Sequence, residues 1–583
     1  MKKLLGLVSF SFILTSSLAL AQPQPSLLVV YPPANHQTST EKIFFIGTAP
    51  ADGQVLINGK PVNRSKAGHF SPSFPLQLGE NIFKVRYQNQ EREIKVTRLS
   101  TQPELPQGLG FAKDSLTPAV DIARLPGELI CFSAVAPPQA NISVKLANQT
   151  IPLSPQSPQA QLPANSSILT GRNQATISNI SKYQGCTTVA NPGDLGQPLF
   201  RLTLKGQTIT QRGSGKVQIL APERLAVAEV IAASGVARTG TSTDYSRLTP
   251  LPQGTRATVT GTEGDWLRLD YGAWINSKET KILPGAVPPQ SVIRSVGYRQ
   301  LAGVTEIRFP LQVPVPVSVE QSDRIFALTL YNTTAQTDTI RLDDDPLISR
   351  LDWQQVTPNQ IKYTFNLKKL QQWGYKLRYD NTTLVLSLRH APNIQNRKPL
   401  SGIKILLDPG HGGKESGASG PTGYLEKDVN LVISKLMRDE LVQRGAKVVM
   451  TREDDRDVSL VERQEIISRE QPAIALSIHH NSLPDDGDAE KTKGFGTFWY
   501  HPQAHSLAVF LHNYVVNKLR QPSYGVFWNN LALTRPSTAP SVLLELGFMS
   551  NPYEFEQVTN PEEQKKMAKT LADGVTEWFR SVR

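Results

Sequence analysis

Near Ser401 the hydrophobic pattern of this chain changes period, and that change limits what can fold on either side of it. Before it, apolar residues alternate with polar ones in short runs broken by Gly, Pro and Asn, which is the pattern of strands joined by turns. After it, short apolar runs alternate with stretches whose apolar residues recur every three to four positions, which reads as strands alternating with helices. At 583 residues the chain exceeds one core, and a usual domain size gives roughly three to five domains. The expected architecture is a series of all-β modules followed by an α/β domain.

Residues 26–100 alternate between turn signals such as Asn58-Gly59, with Gln54-Val55-Leu56-Ile57 on one side and Lys60-Pro61-Val62 on the other, and predict a β-sandwich-like domain. A Pro- and Gln-bearing stretch, Thr101 to Gly108, separates it from a second β-rich segment, 109–222, in which Pro152 to Ser166 is predicted as loop or linker. From 225 to 283, Val236-Ala237-Arg238, Gly254-Thr255, Trp266-Leu267-Arg268-Leu269 and Ala273-Trp274-Ile275 follow in an order that resembles the bacterial Src-homology-3-like barrel. Trp266 and Trp274 are either sugar- or peptide-stacking residues or barrel core. After the Pro-rich joint Pro284 to Gln290, residues 289–390 again read as strands, among them Val304 to Phe309, Ile325 to Leu330 and Leu384 to Leu388. This stretch resembles a wall-targeting β domain, and Ala391 to Leu400 is the last linker. Four β segments and 43 prolines suggest a jointed rod.

The first residues read as a cleavable export signal: Lys2 and Lys3, an apolar run from Leu4 to Leu14, and Ala19-Leu20-Ala21 as the cleavage site, so that residues 1–21 are removed. No later run approaches a membrane span, and the expected location is the periplasm or the extracellular envelope. There Cys131 and Cys186, the only two cysteines, are either a disulfide or two buried thiols; a bond closing that loop would stabilise by roughly 4 kcal/mol. The net charge of +12 is uneven, being −3 from Ser401 onward and +15 before it. A basic surplus on an exported chain without a basic helix points away from nucleic acid and toward an anionic wall polymer, or else is solubilising charge.

Within the α/β segment the strand Ile403-Lys404-Ile405-Leu406-Leu407 ends in Asp408-Pro409-Gly410-His411-Gly412-Gly413. The Gly-rich turn lacks the spacing of a phosphate loop, so the His is the informative residue. Leu425-Glu426-Lys427-Asp428 opens a helix with Val429, Val432, Ile433 and Leu436 on one face, closed by Gly445; Glu426 at its start has the helix dipole as its ordinary explanation. The strand Ala473 to Ile478 delivers His479, His480 and Asn481. Val542-Leu543-Leu544-Glu545-Leu546-Gly547-Phe548 is an apolar strand carrying one carboxylate, which is costly unless paired or coordinated. In open α/β sheets ligands gather at strand ends, so His411, Glu426, His479 and Glu545 can meet in one cleft. Two His and one Glu form a normal set for catalytic zinc, leaving one carboxylate to move protons.

These blocks, with Thr451-Arg452, Ser477-Ile478-His479 and Ser550-Asn551, resemble the zinc-dependent N-acetylmuramoyl-L-alanine amidase family over nearly all of 403–580. The resemblance implies an open mixed sheet flanked by helices over 401–583, Zn2+ held by His411, Glu426 and His479, and Glu545 as the catalytic carboxylate. It implies peptidoglycan as substrate, cut between the lactyl group of N-acetylmuramic acid and L-alanine, in wall remodelling or daughter-cell separation; an activator is not identified. Glu415 stands where the family usually has Asp, His480 competes with His479 as a ligand, and Asp408 and Asn481 are either supporting groups or turn formers. The segment Ser482 to Lys493 is too short and loop-like for the inhibitory helix of some family members, so gating of that kind is not expected. An inert wall-binding scaffold and a zinc peptidase acting within the stem peptide are the competing readings.

Overall fold

The computed structural model describes residues 26–583 apart from 102–105, 107, 158, 164, 171–173 and 179–180. The predicted export signal and its cleavage site lie outside the described residues. Ahead of Ser401 the regular structure is strands and two short 3₁₀ turns in the second β segment's loop and border, with a third after Trp274–Asn276. Each stretch buries its own apolar cluster: Ile43, Phe45, Phe70 and Val85 in the first, Phe132, Val144, Phe200 and Leu202 in the second, Val230, Ala237 and Ile275 in the third, Phe309, Phe326, Phe365 and Leu386 in the fourth. Alternation along each strand, apolar side inward, is what separates these cores.

Pro152 to Pro155 is not a linker but the end of strand Gln149–Pro155. The proline count hides a period-2 signal, because Ile151 and Leu153 are both buried in that segment's core. The stretches on either side of residue 222 share one sheet, Ile122–Arg124 pairing with Arg256–Glu263 so that Ala123 stands opposite Thr262. Trp266 and Trp274 lie outside the apolar cluster of their segment; Trp274 instead faces the guanidinium groups of Arg124 and Arg268, each 5.9 Å from its ring centre. Cys131 and Cys186 stand opposite each other on paired strands and are joined by a disulfide.

The last domain is an α/β unit. Its elements are β1 (Lys404–Pro409), α1 (Glu426–Gln443), β2 (Lys447–Met450), α2 (Leu460–Glu470), β3 (Ile474–Asn481), β4 (Phe495–Trp499), α3 (Pro502–Leu519), β5 (Ser523–Trp528), β6 (Ser541–Phe548), α4 (Pro552–Val558) and α5 (Pro561–Ser581). The sheet order is β2-β1-β3-β6-β4-β5. The first four strands are parallel, β4 runs antiparallel to β6, and β5 is parallel to β4. Ile405, Leu407, Leu476, Ile478 and Leu544 point to one face, where they pack with Val429, Leu511 and Leu571 of α1, α3 and α5; Leu406 and Ala475 point to the other, onto Ile466 and Ile467 of α2. In α1 the buried apolar positions are Val429, Ile433, Met437 and Leu441, whereas Val432, expected on that face, is 37% exposed.

The modules do not form a jointed rod, because the chain folds back on itself. The backbone N–H of Phe44 donates to Asp485 O at 3.2 Å, His36 Nε2 lies 2.9 Å from the Asp485 carboxylate, which Tyr31 also contacts, and Asn63 donates to Glu490 at 2.7 Å. The first β segment therefore sits on the 482–493 loop. The fourth inserts Trp373 into the α/β core against Trp578 and Phe579, and its Arg389 donates to the carbonyls of Thr538 and Pro472 at 2.6 and 2.7 Å. The Ala391 to Leu400 link ends in the fully buried Leu400, so it is packed into the domain it precedes. Among the described residues no helix is long and apolar enough to cross a membrane.

One consequence of this packing is measurable by pH. His501 precedes α3, its ring Nε2 donates to Arg535 O at 2.7 Å, and burial pulls its pKa down to about 4. The folded state keeps this ring neutral, whereas the unfolded chain takes up a proton below about pH 6.5. Stability therefore falls as pH drops from 6.5 to 4, by at most about 3 kcal/mol from this group. Urea denaturation at pH 7 and pH 4.5 is expected to show that slope, and His501→Gln to remove this part of it.

Candidate metal centre

The Gly-rich turn after β1 carries His411 in the left-handed backbone region, φ 59°. That conformation is uncommon for a residue with a side chain, and it is held by two buried arginines. Arg463, from α2, donates to His411 O at 2.6 Å and to Pro409 O at 2.8 Å; Arg452 donates to Pro409 O and Gly410 O, both at 3.0 Å. Arg463 also pairs with Asp408 at 2.5 Å, and both side chains are about 2% exposed or less. Asp408 accepts further bonds from Thr451 and Ser477, each at 2.6 Å. Burial would raise its carboxyl, but Arg463 and these hydroxyls outweigh it and hold the group below the ordinary carboxylate range. Asp408 is therefore a support for the turn, whereas Asn481 turns to its own chain, accepting from the Ser482 N–H at 2.9 Å.

Glu426 is the first residue of α1 but does not face solvent at the helix end. It is 4% exposed, and its carboxylate accepts from the backbone N–H groups of Ala418 at 2.8 Å and His480 at 3.1 Å and from Asn430 at 3.0 Å. His411 Nε2 lies 3.2 Å from Oε2 and His479 Nδ1 3.0 Å from Oε1, with the two imidazole rings 4.9 Å apart. The donor atoms of His411, Glu426 and His479 all fall within 4.8 Å of one another. Burial pushes Glu426 up, and the two histidines overcome it and keep the group well below its usual range. His480, the neighbour of His479 on the strand, points away: its ring is 2% exposed and its Nδ1 lies 2.8 Å from Asn430 Oδ1. Glu415 stays largely in solvent, 3.9 Å from His411 Nδ1.

Glu545 completes the group. Its strand position is directly opposite His479 on the parallel partner β3, so the two side chains share a face. Its Oε2 is buried and has no hydrogen-bond partner among the described residues. Burial, and then the charge of Glu426, raise its carboxyl well above the usual range. A buried carboxylate oxygen left without a partner is expensive, and it marks a place where a proton or a positive charge is missing from the protein's own atoms. Two glycines make room for the cluster. A Cβ on Gly410 would fall 2.3–2.6 Å from the His479 ring, and one on Gly417, φ 67°, 2.4 Å from Glu426 Oε2.

All four residues singled out from the sequence thus converge. What sequence reading missed was Arg463, although the signal was present: α2 buries Arg463, Ile466 and Ile467 together, a charge on an apolar face.

The fold and the site define a class, an α/β domain with a His-Glu-His donor set drawn from two strand ends and a helix start, and a buried carboxylate beside it. Residues 405–577 match the profile of the N-acetylmuramoyl-L-alanine amidase family. It is similar to the probable cell wall amidase LytH of Staphylococcus aureus, 35% identical over 191 residues, which is 32% of this chain and 62% of that protein. The chain thus spans about three-fifths of the length of the curated relatives it matches. Among solved structures, the N-acetylmuramoyl-L-alanine amidase AmiC2 of Nostoc punctiforme is 34% identical, with 31% of this chain and 99% of that one covered and a TM-score of 0.30. The N-acetylmuramoyl-L-alanine amidase of Clostridium difficile 630 is 28% identical, with 31% and 98% covered and a TM-score of 0.30.

Proposed function

We propose that this protein hydrolyses the amide between the lactyl group of N-acetylmuramic acid and L-alanine in peptidoglycan. The observation that carries the reading is the unpartnered Glu545 Oε2 beside the His411, Glu426 and His479 donors, within a segment that matches the amidase family profile. Two imidazole nitrogens and one carboxylate oxygen suit zinc better than calcium or magnesium, which take oxygen donors. Those three residues would hold it, and when bound it supplies Lewis acidity toward the scissile carbonyl and toward water. Glu545 accepts the proton of the attacking water at its carboxylate and returns one to the leaving nitrogen, since an amide leaves poorly as an anion. The C–N bond breaks as the C–O bond forms, giving a free lactyl carboxylate and a peptide beginning with L-alanine. Asp408, Arg463 and Arg452 hold the turn that carries His411.

The setting that fits is an exported enzyme of the cell envelope, with residues 1–21 as signal, in wall remodelling or daughter-cell separation. Its modules would be 26–100, 109–222, a Src-homology-3-like barrel at 225–283 and a wall-targeting domain at 289–390, with an anionic wall polymer as partner of the basic N-terminal two-thirds. Digestion of purified peptidoglycan by the mature protein, with and without chelator, is the test: released peptides that begin with L-alanine support the reading, and peptides cut internally overturn it. Because a Cβ at Gly410 strikes the His479 ring, Gly410→Ala is expected to lower bound zinc and turnover together, by about 10- to 100-fold as for displaced metal surroundings. Metal content by mass spectrometry and peptide release check this.

A further inference from the structure

A second cleft opens where the third and fourth β segments meet the α/β domain. It encloses about 630 Å³ and is lined by Arg247, Tyr271, Tyr331, Tyr375, Tyr500 and Trp528 among others. It is distinct from the metal centre. Strand β4 runs antiparallel to β6 with Gly496 opposite Glu545 and Phe498 opposite Leu543, so each step along β4 toward Tyr500 leads away from Glu545. Trp528 ends β5, which is parallel to β4, and thus lies at that same far edge of the sheet.

The walls are held in place by contacts between the three parts. Val319 N–H donates to Thr249 at 2.9 Å, Asn332 to Asp270 at 2.9 Å, and Tyr375 N–H to Ser537 O at 2.8 Å. Aromatic faces are presented in pairs: Tyr500 and Trp528 with ring centres 5.4 Å apart, Tyr271 and Tyr331 at 4.7 Å. Trp528 is 61% exposed, an unusual cost for so large an apolar surface. Two polar groups lack partners among the described residues: the buried Tyr271 hydroxyl, and the Arg247 guanidinium, which makes no ion pair or side-chain hydrogen bond. The acidic residue of the lining, Glu320, is held by Lys362 at 2.8 Å. The cleft therefore combines flat aromatic surface with the unpaired charge of Arg247.

We propose that this cleft is a second, non-catalytic site that binds a peptidoglycan strand of the wall, sugar faces lying on Tyr500 and Trp528 and a stem-peptide carboxylate meeting Arg247. The proposal rests on the peptidoglycan reading above. Its function would be to hold a strand at one edge of the sheet while another part of the polymer is cut at the opposite edge.

The test is co-sedimentation of the mature chain with insoluble peptidoglycan under chelator, comparing wild type with Arg247→Glu and Trp528→Ala. One arm uses wall stripped of accessory phosphate polymers, another those polymers alone. Each variant is expected to bind stripped wall roughly tenfold more weakly, as for one lost charge-assisted or stacking contact, with peptide release from small soluble muropeptides unchanged. Variants that bind stripped wall as wild type does overturn the proposal while leaving the amidase reading intact. Variants defective only toward the phosphate polymer overturn the carboxylate assignment. A wild-type chain that neither binds nor cuts wall overturns the functional reading itself.

Discussion

Glu545→Gln is expected to lower peptide release from peptidoglycan by about 10²- to 10⁴-fold, the range for loss of a positioned acid–base group, with bound metal unchanged. The substitution keeps the shape of the side chain and removes its ability to take and return a proton. Burial and the charge of Glu426 already raise this carboxyl well above its usual range, so its Gln replacement relieves an unfavourable charge and the fold is expected to be at least as stable. Activity and stability should therefore move in opposite directions. Release assays by mass spectrometry, paired with urea denaturation, read both; equal activity of the variant would remove Glu545 from the reaction.

Asp408→Ala is expected to destabilise the α/β domain by about 3–5 kcal/mol, because it leaves Arg463 buried without its counter-charge. The effect should reach the site as well. Arg463 spans Asp408 and the backbone carbonyls of Pro409 and His411, so losing its anchor frees the turn that carries His411, and turnover should fall beyond what the unfolded fraction explains. The double change Asp408→Ala with Arg463→Met removes both charges and is expected to regain part of the stability but not the activity. Denaturant unfolding of the three variants, with activity measured well below each midpoint, separates the two effects. A single variant as stable as wild type would show that the pair contributes nothing.

The candidate site was legible in part because two of its residues break a local rule, while Glu426 and His479 entered through strand-end placement and the family resemblance. Glu545 is a carboxylate inside an apolar strand, and His411 follows a strand end in a turn rich in glycine. Local rules failed where a side chain's partner lies far along the chain. Arg463 reaches Asp408 across 55 positions, and nothing near either residue announces the other. His479 and His480 are adjacent, and a strand alone sends one to each face; only the packing of α1, which sets Glu426 beside one ring and Asn430 beside the other, decides which joins the cluster.

By itself, then, the sequence determined the change from β modules to an α/β domain near Ser401 and marked Glu545 as a carboxylate out of place, because periodicity and misplaced polarity are local properties of a chain. Tertiary structure alone decided the rest. It folded the first module back onto the 482–493 loop, drew Trp373 into the core of the α/β domain and opened the aromatic cleft at the far edge of the sheet. Each of these depends on surfaces formed by residues hundreds of positions apart, whose complementarity exists only once each module has folded.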